Sequence, residues 1–488
     1  MRYCYLQHFT LISIMGIKFV VNSPKGIMLT IIVEKFCALF FRTWRKKMEF
    51  RESSDRLIRF IGDATCSFTT VQTAMAMLKS EGFIELGLGD KWKLERGKSY
   101  YINVYDSSLM AFTVGRNYDG GMIRIATAHT DSPSFAVKPN PEIRTGMGNI
   151  GKLNVEGYGG AILNTWLDRP LSIAVRVSVK SDKVFEPDVK IVDFRRSVVT
   201  IPNLAIHMNR EVNKGVELNK QVDMLPICCQ PGTDVNDFFM DYLAAELNVR
   251  KEDILDYEGY VYNTEKGQYV GFDEEFVLCP RLDNATSVVA CLIGLIKSSL
   301  SNGNEDGINA IMVFDNEEIG SMTKQGANSS VFTFMLEKLY RSLESDNETT
   351  DDVRAGYIDR ILNGMMISLD VAHATHPNHP EKNDPTNAIT LNAGPVIKRS
   401  AAQRYATDAR AVGIVEQICQ KSDIPYQKFS IRSDMVGGST LGPISDIQLP
   451  MLTVDIGVPI LAMHSAMETM GMKDQAYMEE LVRGFFCY

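Results

Sequence analysis

The amino-acid sequence predicts an α/β fold in which helices flank a mostly parallel sheet and a β-rich domain is inserted. Strand-like apolar runs alternate with helical periodicity before residue 132 and after residue 274. Between these limits, short β-like runs are separated by glycine-rich turns. The length of 488 residues also exceeds what one simple core usually holds. We therefore predict an α/β domain from residues 48–131 and 275–488, and an inserted domain from residues 132–274.

The α/β segments supply helices and strands in alternation. Apolar residues at three- and four-residue spacing predict helices over 55–61, 70–78, 282–300, 328–343, 402–421 and 474–485. Apolar runs predict strands over 100–105, 109–114, 122–128, 308–314, 364–369, 389–391, 426–431 and 449–456. This alternation indicates a parallel sheet covered on both faces. The acidic stretch 344–352 is interpreted as a solvated loop.

The segment 132–274 has the pattern of a β-rich domain. β-like runs occur at 170–179, 190–193 and 197–201, and 156–160 is a glycine-rich turn. One helix is predicted over 234–247, at the end of the segment.

Residues 1–47 differ in composition from the rest of the chain. They are apolar and mildly basic, but charged residues and Pro24 interrupt the apolar runs. No run reaches the roughly 20 apolar residues that a membrane-spanning helix needs. We interpret the segment as an N-terminal extension outside the fold, with Met48 as the functional start. A targeting or membrane-tethering segment is the alternative.

The charge and cysteine content restrict the partners and the compartment. A net charge of −9 and a pI near 5.5 argue against nucleic acid as a partner, because phosphate binding needs a basic face. Nine cysteines without a CxxC pair suit a reducing compartment, so we expect a cytoplasmic protein with no membrane partner. Cys228 and Cys229 are adjacent, and we interpret them as small buried or half-buried residues rather than a redox centre.

Acidic and histidine residues follow three of the predicted strands. His129 ends the run 123–129, the pair Glu317–Glu318 follows 308–314, and Asp370 follows 364–369. Ligands of open α/β sheets bind beyond the carboxyl ends of the strands. These residues are therefore expected to share one pocket.

Two further residues complete a candidate dinuclear metal site. Asp283 lies near the start of a predicted helix, and His464 follows an apolar stretch near the C-terminus. Together with the strand-end residues they give two histidines and three carboxylates, which can hold two zinc-like ions if one carboxylate bridges them. We assign Asp283 as the bridge, His129 with Asp370 to one ion, and Glu318 with His464 to the other. Zinc is expected, with manganese or cobalt as alternatives.

The neighbours of these ligands have predicted roles in catalysis. Glu317 is expected to be the general base, which takes a proton from the metal-bound water and passes it to the leaving amine. Asp131 is expected to hydrogen-bond the imidazole of His129 and fix its tautomer. His373 is expected to contact the substrate, whereas His376 and His379 are interpreted as surface residues.

Each position also has a purely structural explanation. Glu317 and Glu318 could favour a helix N-terminus, Asp283 or Asn284 could be an N-cap, and Asp370 could belong to a turn. His464 could lie in a core segment. We favour the metal site because all these separate explanations would have to coincide.

Seven segments, in order, resemble the aspartyl aminopeptidase family of metallopeptidases: 127–133, 158–169, 202–207, 280–284, 315–321, 368–378 and 463–468. The resemblance covers about residues 50–488. It implies a zinc exopeptidase-like catalytic domain, an inserted β-rich dimerisation domain, and a homododecamer built from dimers. The family's metal ligands and general base fall on the residues assigned above. The resemblance also implies that His373, Lys398 and Tyr405 line the substrate site, and that His207 reaches a neighbouring subunit's pocket.

The favoured function is therefore removal of N-terminal residues from peptides with a free N-terminus. The resemblance and the basic Lys398 favour Asp or Glu at that position, since an ammonium attracts a carboxylate. A related dizinc deacylase or carboxypeptidase is one alternative. A non-catalytic scaffold that kept the fold is another, and a membrane-tethered scaffold using residues 1–47 is a third.

Overall fold

The computed structural model describes residues 3–6, 9–14, 17–21, 46–231, 237–301, 303, 305–344 and 349–488. The chain divides into two compact units, residues 1–53 and 54–488. In the first unit, an antiparallel sheet contains β1 (Tyr3–Leu6), β2 (Phe9–Ile14) and β3 (Ile17–Val21). Residues 22–45 of the predicted extension lie outside the described residues, and its assignment as an extension stays a prediction.

Helices and strands alternate through most of the second unit. The helices are α1 (residues 46–63, beginning before Ser54), α2 (Ser67–Ser80), α3 (Phe238–Leu247), α4 (Leu282–Ser299), α5 (Val331–Arg341), α6 (Thr350–Leu362), α7 (Ala409–Lys421), α8 (Leu441–Gln448) and α9 (Asp474–Cys487). The strands up to residue 229 are β4 (Ile84–Glu85), β5 (Ser99–Val104), β6 (Ser108–Val114), β7 (Ile123–His129), β8 (Ser134–Arg144), β9 (Gly151–Tyr158), β10 (Leu171–Val179), β11 (Asp188–Asp193) and β12 (Ile227–Cys229). The later strands are β13 (Ile254–Asn263), β14 (Gln268–Val270), β15 (Phe276–Cys279), β16 (Ile308–Phe314), β17 (Met365–Leu369), β18 (Ala372–His373), β19 (Val396–Lys398), β20 (Gln427–Phe429), β21 (Leu452–Gly457), β22 (Pro459–Leu461) and β23 (Glu468–Gly471).

A nine-stranded sheet forms the centre of the α/β part, in the order β20-β19-β21-β17-β7-β16-β6-β5-β4. Its four central strands, β21, β17, β7 and β16, are parallel to one another. Every residue of β16 and β17 is buried, as expected where helices cover both faces. The predicted α/β fold with a mostly parallel sheet is thereby confirmed.

The residues between 134 and 263 form a separate antiparallel sheet, in the order β11-β10-β13-β8-β9-β12. Its inner face packs into an apolar core that includes Phe135 and Trp166, whose rings meet edge to face at 5.2 Å. A further five-stranded sheet, β14-β15-β23-β22-β18, joins residues 268–279 to the C-terminal region. The division into a catalytic domain and an insertion over 132–274 stays a prediction.

Several elements differ from the sequence-based prediction. Residues 389–391 form no strand. Helix α7 begins at Ala409 rather than at residue 402, because the side chain of Asp408 accepts a hydrogen bond from the Ala411 N–H and caps the helix there. Helix α6 begins inside the predicted acidic loop, where Thr349 caps it by accepting from the Asp352 N–H. Residues 345–348 of that loop and 234–236 of the predicted helix lie outside the described residues.

Within the part of the chain that the structure describes, no helix combines the length and apolar character that a membrane crossing requires.

Candidate active site

Neighbouring parallel strands bring candidate residues to one edge of the nine-stranded sheet. His129, at the end of β7, lies opposite Phe314, at the end of β16. On its other side β7 pairs with β17, where Ser368 lies opposite Thr127. Asp370, two residues further on, therefore emerges at the same edge. The loop that follows β16 carries Glu317 and Glu318, and it begins beside the end of β7. The register of the parallel strands therefore assembles the site.

Five side chains form two overlapping triads at this edge. Nε2 of His129 lies 3.3 Å from Oδ1 of Asp283 and 3.6 Å from Oδ1 of Asp370. Nε2 of His464 lies 3.4 Å from Oδ2 of Asp283 and 3.5 Å from Oε2 of Glu318. Within each triad, the facing nitrogen and oxygen atoms lie within 4.8 Å of one another. Asp283 belongs to both triads and presents one oxygen to each histidine.

The first residues of α4 place Asp283. Arg281 has a left-handed backbone with φ of 56°, and its guanidinium donates to three backbone carbonyl oxygens at 3.1–3.2 Å. The Asn284 amide donates to the carbonyl of Leu369 at 3.0 Å, which ties this turn to β17. The backbone at Asp283 and Asn284 is non-helical, and the carboxylate of Asp283 faces the two histidines.

Glu468 joins the segments that carry Asp283 and His464. Its carboxylate accepts hydrogen bonds from the backbone N–H of Asp283 at 3.0 Å and of His464 at 2.8 Å. The residue is fully buried, and burial raises the pKa of its carboxyl to about 8. His464 has a φ of 67°, a conformation that costs energy outside glycine, so this hydrogen bond supports it. The sequence analysis gave Glu468 no role; its one signal was an acid four residues after a candidate ligand.

Asp131 holds both the imidazole of His129 and the backbone of the two glutamates. Nδ1 of His129 is hydrogen-bonded to the backbone carbonyl of Asp131 at 3.1 Å and lies 3.3 Å from one of its carboxylate oxygens. The carboxylate accepts from the N–H groups of Glu317 at 3.2 Å and Glu318 at 3.1 Å. The hydroxyl of Tyr158 donates to the same carboxylate at 2.8 Å. Tyr158 is the last residue of β9 and begins one of the segments that resemble the family, but no role was predicted for it.

Asn316 stabilises the turn that carries the glutamates. Its φ is 65°, and its side-chain oxygen accepts from Thr323 and Gln325, each at 2.9 Å. Its amide donates to the Tyr158 hydroxyl at 2.9 Å. The side chain of Asn316 therefore joins the turn to Tyr158 and to the segment of Thr323 and Gln325. No role was predicted for Asn316 from the sequence.

Burial and mutual charge determine the ionisation of the site. Burial alone would lower the pKa of His129, but three facing aspartates raise it well above its usual value. In the same way, carboxylates raise the pKa of His464 to about 10 against the effect of burial. Burial raises the pKa of Glu317 to about 8, despite the opposing charge of His129. Burial also raises the pKa of Glu318 well above its usual value. A dense group of carboxyls thus faces two imidazoles.

The residues present fit a divalent metal centre. Oδ1 of Asp283 and Oε1 of Glu318 are buried and make no hydrogen bond of acceptable geometry. Buried acceptors without a partner are costly unless a cation binds them. Imidazole nitrogen and carboxylate oxygen are the ligands that zinc takes in catalytic sites. Both triads offer this donor set.

Lys398 and Tyr405 lie beside the triads. The Lys398 ammonium lies 3.5 Å from Oδ2 of Asp370 and donates to the carbonyl of Val371 at 3.1 Å. It also lies 5.2 Å from the centre of the Tyr405 ring. Burial would lower the pKa of Lys398, but the charge of Asp370 raises it, so the ammonium form is kept.

The predicted histidine contacts divide into two groups. His373 is exposed to solvent on one side, and its ring centre lies 6.2 Å from that of Phe429; partial loss of hydration together with the charge of Lys398 lowers its pKa. His376 and His379 are exposed. His207 lies exposed in a turn. Within the described residues, the structure does not bring it to the triads.

Comparison with known proteins identifies the family. The sequence model described as aminopeptidase I zinc metalloprotease (M18) matches residues 60–486. The chain belongs to the M18 family. The resemblance to aspartyl aminopeptidases is thereby confirmed, and the protein is a zinc metalloaminopeptidase, a hydrolase. A probable M18 family aminopeptidase 2 of Clostridium novyi is 43% identical over 446 residues, covering 91% of this chain and 99% of the relative.

Other M18 proteins are similar along most of the chain. A probable M18 family aminopeptidase 2 of Clostridium acetobutylicum is 43% identical over 438 residues, covering 89% of this chain and 98% of the relative. In a cryo-EM structure of the Ape4 and Nbr1 complex, one chain matches with a TM-score of 0.84 and 30% identity, covering 90% of this chain and 86% of the other. The mApe1 dodecamer of S. cerevisiae matches with a TM-score of 0.76 and 25% identity, covering 90% of this chain and 97% of the other.

Proposed function

We propose that this M18 aminopeptidase holds two divalent ions, with zinc as the expected metal, through the two triads that share Asp283. His129 and Asp370 would hold one ion, and His464 and Glu318 the other. The carrying observation is that Asp283 presents its two oxygens to two different histidines, at 3.3 and 3.4 Å. When bound, such ions polarise the scissile carbonyl and make a water acidic enough to attack at neutral pH.

Glu317 would serve as the general base. Its Oε2 lies 4.0 Å from Nε2 of His129, at the edge of the triads. The carboxylate of Glu317 would take a proton from the attacking water and deliver it to the departing amine. Asp131 would keep His129 in the tautomer that directs Nε2 into the site.

The substrate would be a peptide with a free N-terminus, with a preference for Asp or Glu there. The buried Lys398 ammonium lies beside Asp370 and Tyr405, where it would attract an acidic side chain. His373 lies near enough to Lys398 and Asp370 for their charges to act on its ring, and it would contact the same residue of the substrate. The alternative of a dizinc deacylase or carboxypeptidase predicts instead that N-terminally blocked substrates are cleaved.

His207 would complete the pocket of a neighbouring subunit in a homododecamer built from dimers, with the β-rich sheet in the dimer contact. Its exposure within one chain leaves it available for this role. The likeness to the mApe1 dodecamer supports such an assembly. The acidic net charge and the absence of CxxC pairs fit a cytoplasmic enzyme without nucleic acid as a partner.

Replacement of Glu317 by Gln tests the proposal. The neutral amide cannot accept the proton, so kcat should fall by roughly 10²- to 10⁴-fold while bound zinc is retained. Glu337→Gln, on the outer face of α5, is the matched control and should leave kcat unchanged. The assay compares free and N-acetylated aspartyl, glutamyl and alanyl reporter peptides, together with zinc content by elemental analysis. Full turnover by the Glu317 variant, or faster cleavage of the blocked peptides, would refute the assignment.

A further inference from the structure

Cys228 and Cys229 form a close pair of thiols in the antiparallel sheet. Successive residues of a regular strand point to opposite faces. However, the pairing of β12 with β9 shifts register between Ile227 and Cys229. This irregularity places the two Sγ atoms 3.9 Å apart. Both cysteines are free and half-buried, so solvent reaches them.

The separation of the two sulfurs matches the bite of a chelating dithiol. A disulfide would need about 2.05 Å between the sulfurs. Two sulfurs that bind one atom at about 2.3 Å each lie at most roughly 4.6 Å apart, so a separation of 3.9 Å is short enough for both to bind the same atom. Cys228 is oriented by its hydrogen bond to the carbonyl of Gly151 at 3.3 Å. The pair is therefore arranged to hold one atom between its sulfurs.

An apolar cavity of about 340 Å³ adjoins the pair. It lies between the sheet and α3, and its walls include the rings of Phe194, Phe239 and Tyr242. Among the described residues of the lining, Arg196 is the one charged side chain, and none is a histidine or a carboxylate. A bare divalent ion needs three or four protein ligands, but this cavity offers only the two sulfurs, and the positive charge of Arg196 would repel the ion. The cavity suits a neutral adduct with an apolar substituent.

We propose that Cys228 and Cys229 form a binding site for a soft, thiophilic centre that carries an apolar group, with aryl arsenic(III) compounds as the chemical class. In the reaction R–As=O + 2 Cys–SH → R–As(S–Cys)₂ + H₂O, two S–H bonds break and two As–S bonds form. The oxygen leaves as water with both protons, and arsenic stays trivalent, so no oxidant is needed. The aryl ring occupies the cavity beside Phe239 and Tyr242.

The test measures phenylarsine oxide binding to the full-length chain, reduced with a phosphine, by intact-mass spectrometry and competition with a small dithiol. Cys228→Ser and Cys229→Ser should each weaken binding by at least roughly 100-fold, since the second thiol acts at high effective concentration. Cys487→Ser, which removes the other half-buried described cysteine, should bind like the unmodified chain. Wild-type affinity in both single-thiol variants would overturn the proposal.

Two further measurements separate thiol geometry from thiol number. A Cβ at Gly151 would lie 2.6 Å from Sγ of Cys229, so Gly151→Ala should weaken binding although both thiols remain. Arsenite, which lacks the aryl group, should bind roughly 10- to 100-fold more weakly than phenylarsine oxide, because it leaves the cavity unfilled. Equal affinity for the two arsenicals would overturn the assignment of the cavity to the aryl group. If Gly151→Ala does not fold, the two serine variants decide the question.

Discussion

Replacing Asp131 by Asn would test how the site is supported. The carboxylate accepts three hydrogen bonds, from the N–H groups of Glu317 and Glu318 and from the hydroxyl of Tyr158, at 2.8–3.2 Å. An asparagine replaces one accepting oxygen by an NH₂ group, which cannot accept. In the least costly orientation, Oδ1 is replaced, so the Glu317 N–H loses its acceptor and an NH₂ group faces Nδ1 of His129.

The magnitude follows from the loss of one charge-assisted hydrogen bond in a buried position. Such a loss costs about 1.5–3 kcal/mol. Disturbing a residue that orients a metal ligand lowers metal affinity by roughly 10- to 100-fold, which corresponds to about 1.4–2.7 kcal/mol. The two figures agree, so Asp131→Asn should weaken zinc binding by this factor and reduce kcat/KM with it.

The assay is competition for zinc with a chromogenic chelator. Asp193→Asn is the matched control, because Asp193 is equally buried and also accepts from a tyrosine hydroxyl, a threonine hydroxyl and a backbone N–H. It lies outside the triads and should leave zinc affinity unchanged. Unaltered zinc affinity in Asp131→Asn, or an equal loss in Asp193→Asn, would refute the supporting role of Asp131.

Three other substitutions have definite expected outcomes. Burial raises the pKa of Asp474 to about 7, so the folded state holds its proton more tightly than the unfolded chain, and stability falls as pH rises from about 4 to 7. The difference in unfolding free energy between the wild type and Asp474→Asn should therefore decrease by about 4 kcal/mol over this pH range. Urea unfolding measures this difference at each pH, and a difference that does not change with pH would contradict the prediction. Phe332→Ala should cost about 3–5 kcal/mol, because this buried ring packs on Phe314 at 4.5 Å, whereas Phe334→Ala on the exposed side of α5 should cost less than about 0.5 kcal/mol. Urea unfolding compares them, and similar losses would disprove the packing argument. Lys398→Met should raise KM for aspartyl and glutamyl reporters by roughly tenfold or more but leave alanyl reporters unchanged; equal effects on all reporters would exclude charge recognition.

The strand-end part of the site could be predicted from sequence because it depends on local pattern. Strands β7, β16 and β17 are mostly apolar and almost entirely buried, and parallel pairing places the residues at their ends along one edge. His129, Glu318 and Asp370 were found in this way.

The supporting residues could not be predicted because their contacts are distant in sequence. Glu468 meets Asp283 across 185 positions, and Asn316 meets Tyr158 across 158. No periodicity in either segment encodes such a meeting. Helix α8 was missed for a different reason, since its sequence Leu441-Gly-Pro lacks a helical pattern at its start.

The β-rich sheet supplies parts that the metal-binding edge requires. Tyr158, the last residue of β9, grips Asp131, and the carbonyl of Gly160 lies 3.2 Å from Nδ1 of His464. Deleting this part of the chain and rejoining the ends would remove the Tyr158 hydroxyl from Asp131 and the Gly160 carbonyl from His464. A shortened chain made in this way should lose its affinity for zinc while it keeps the parallel sheet. The antiparallel sheet would then be a working part of the active site rather than an added layer.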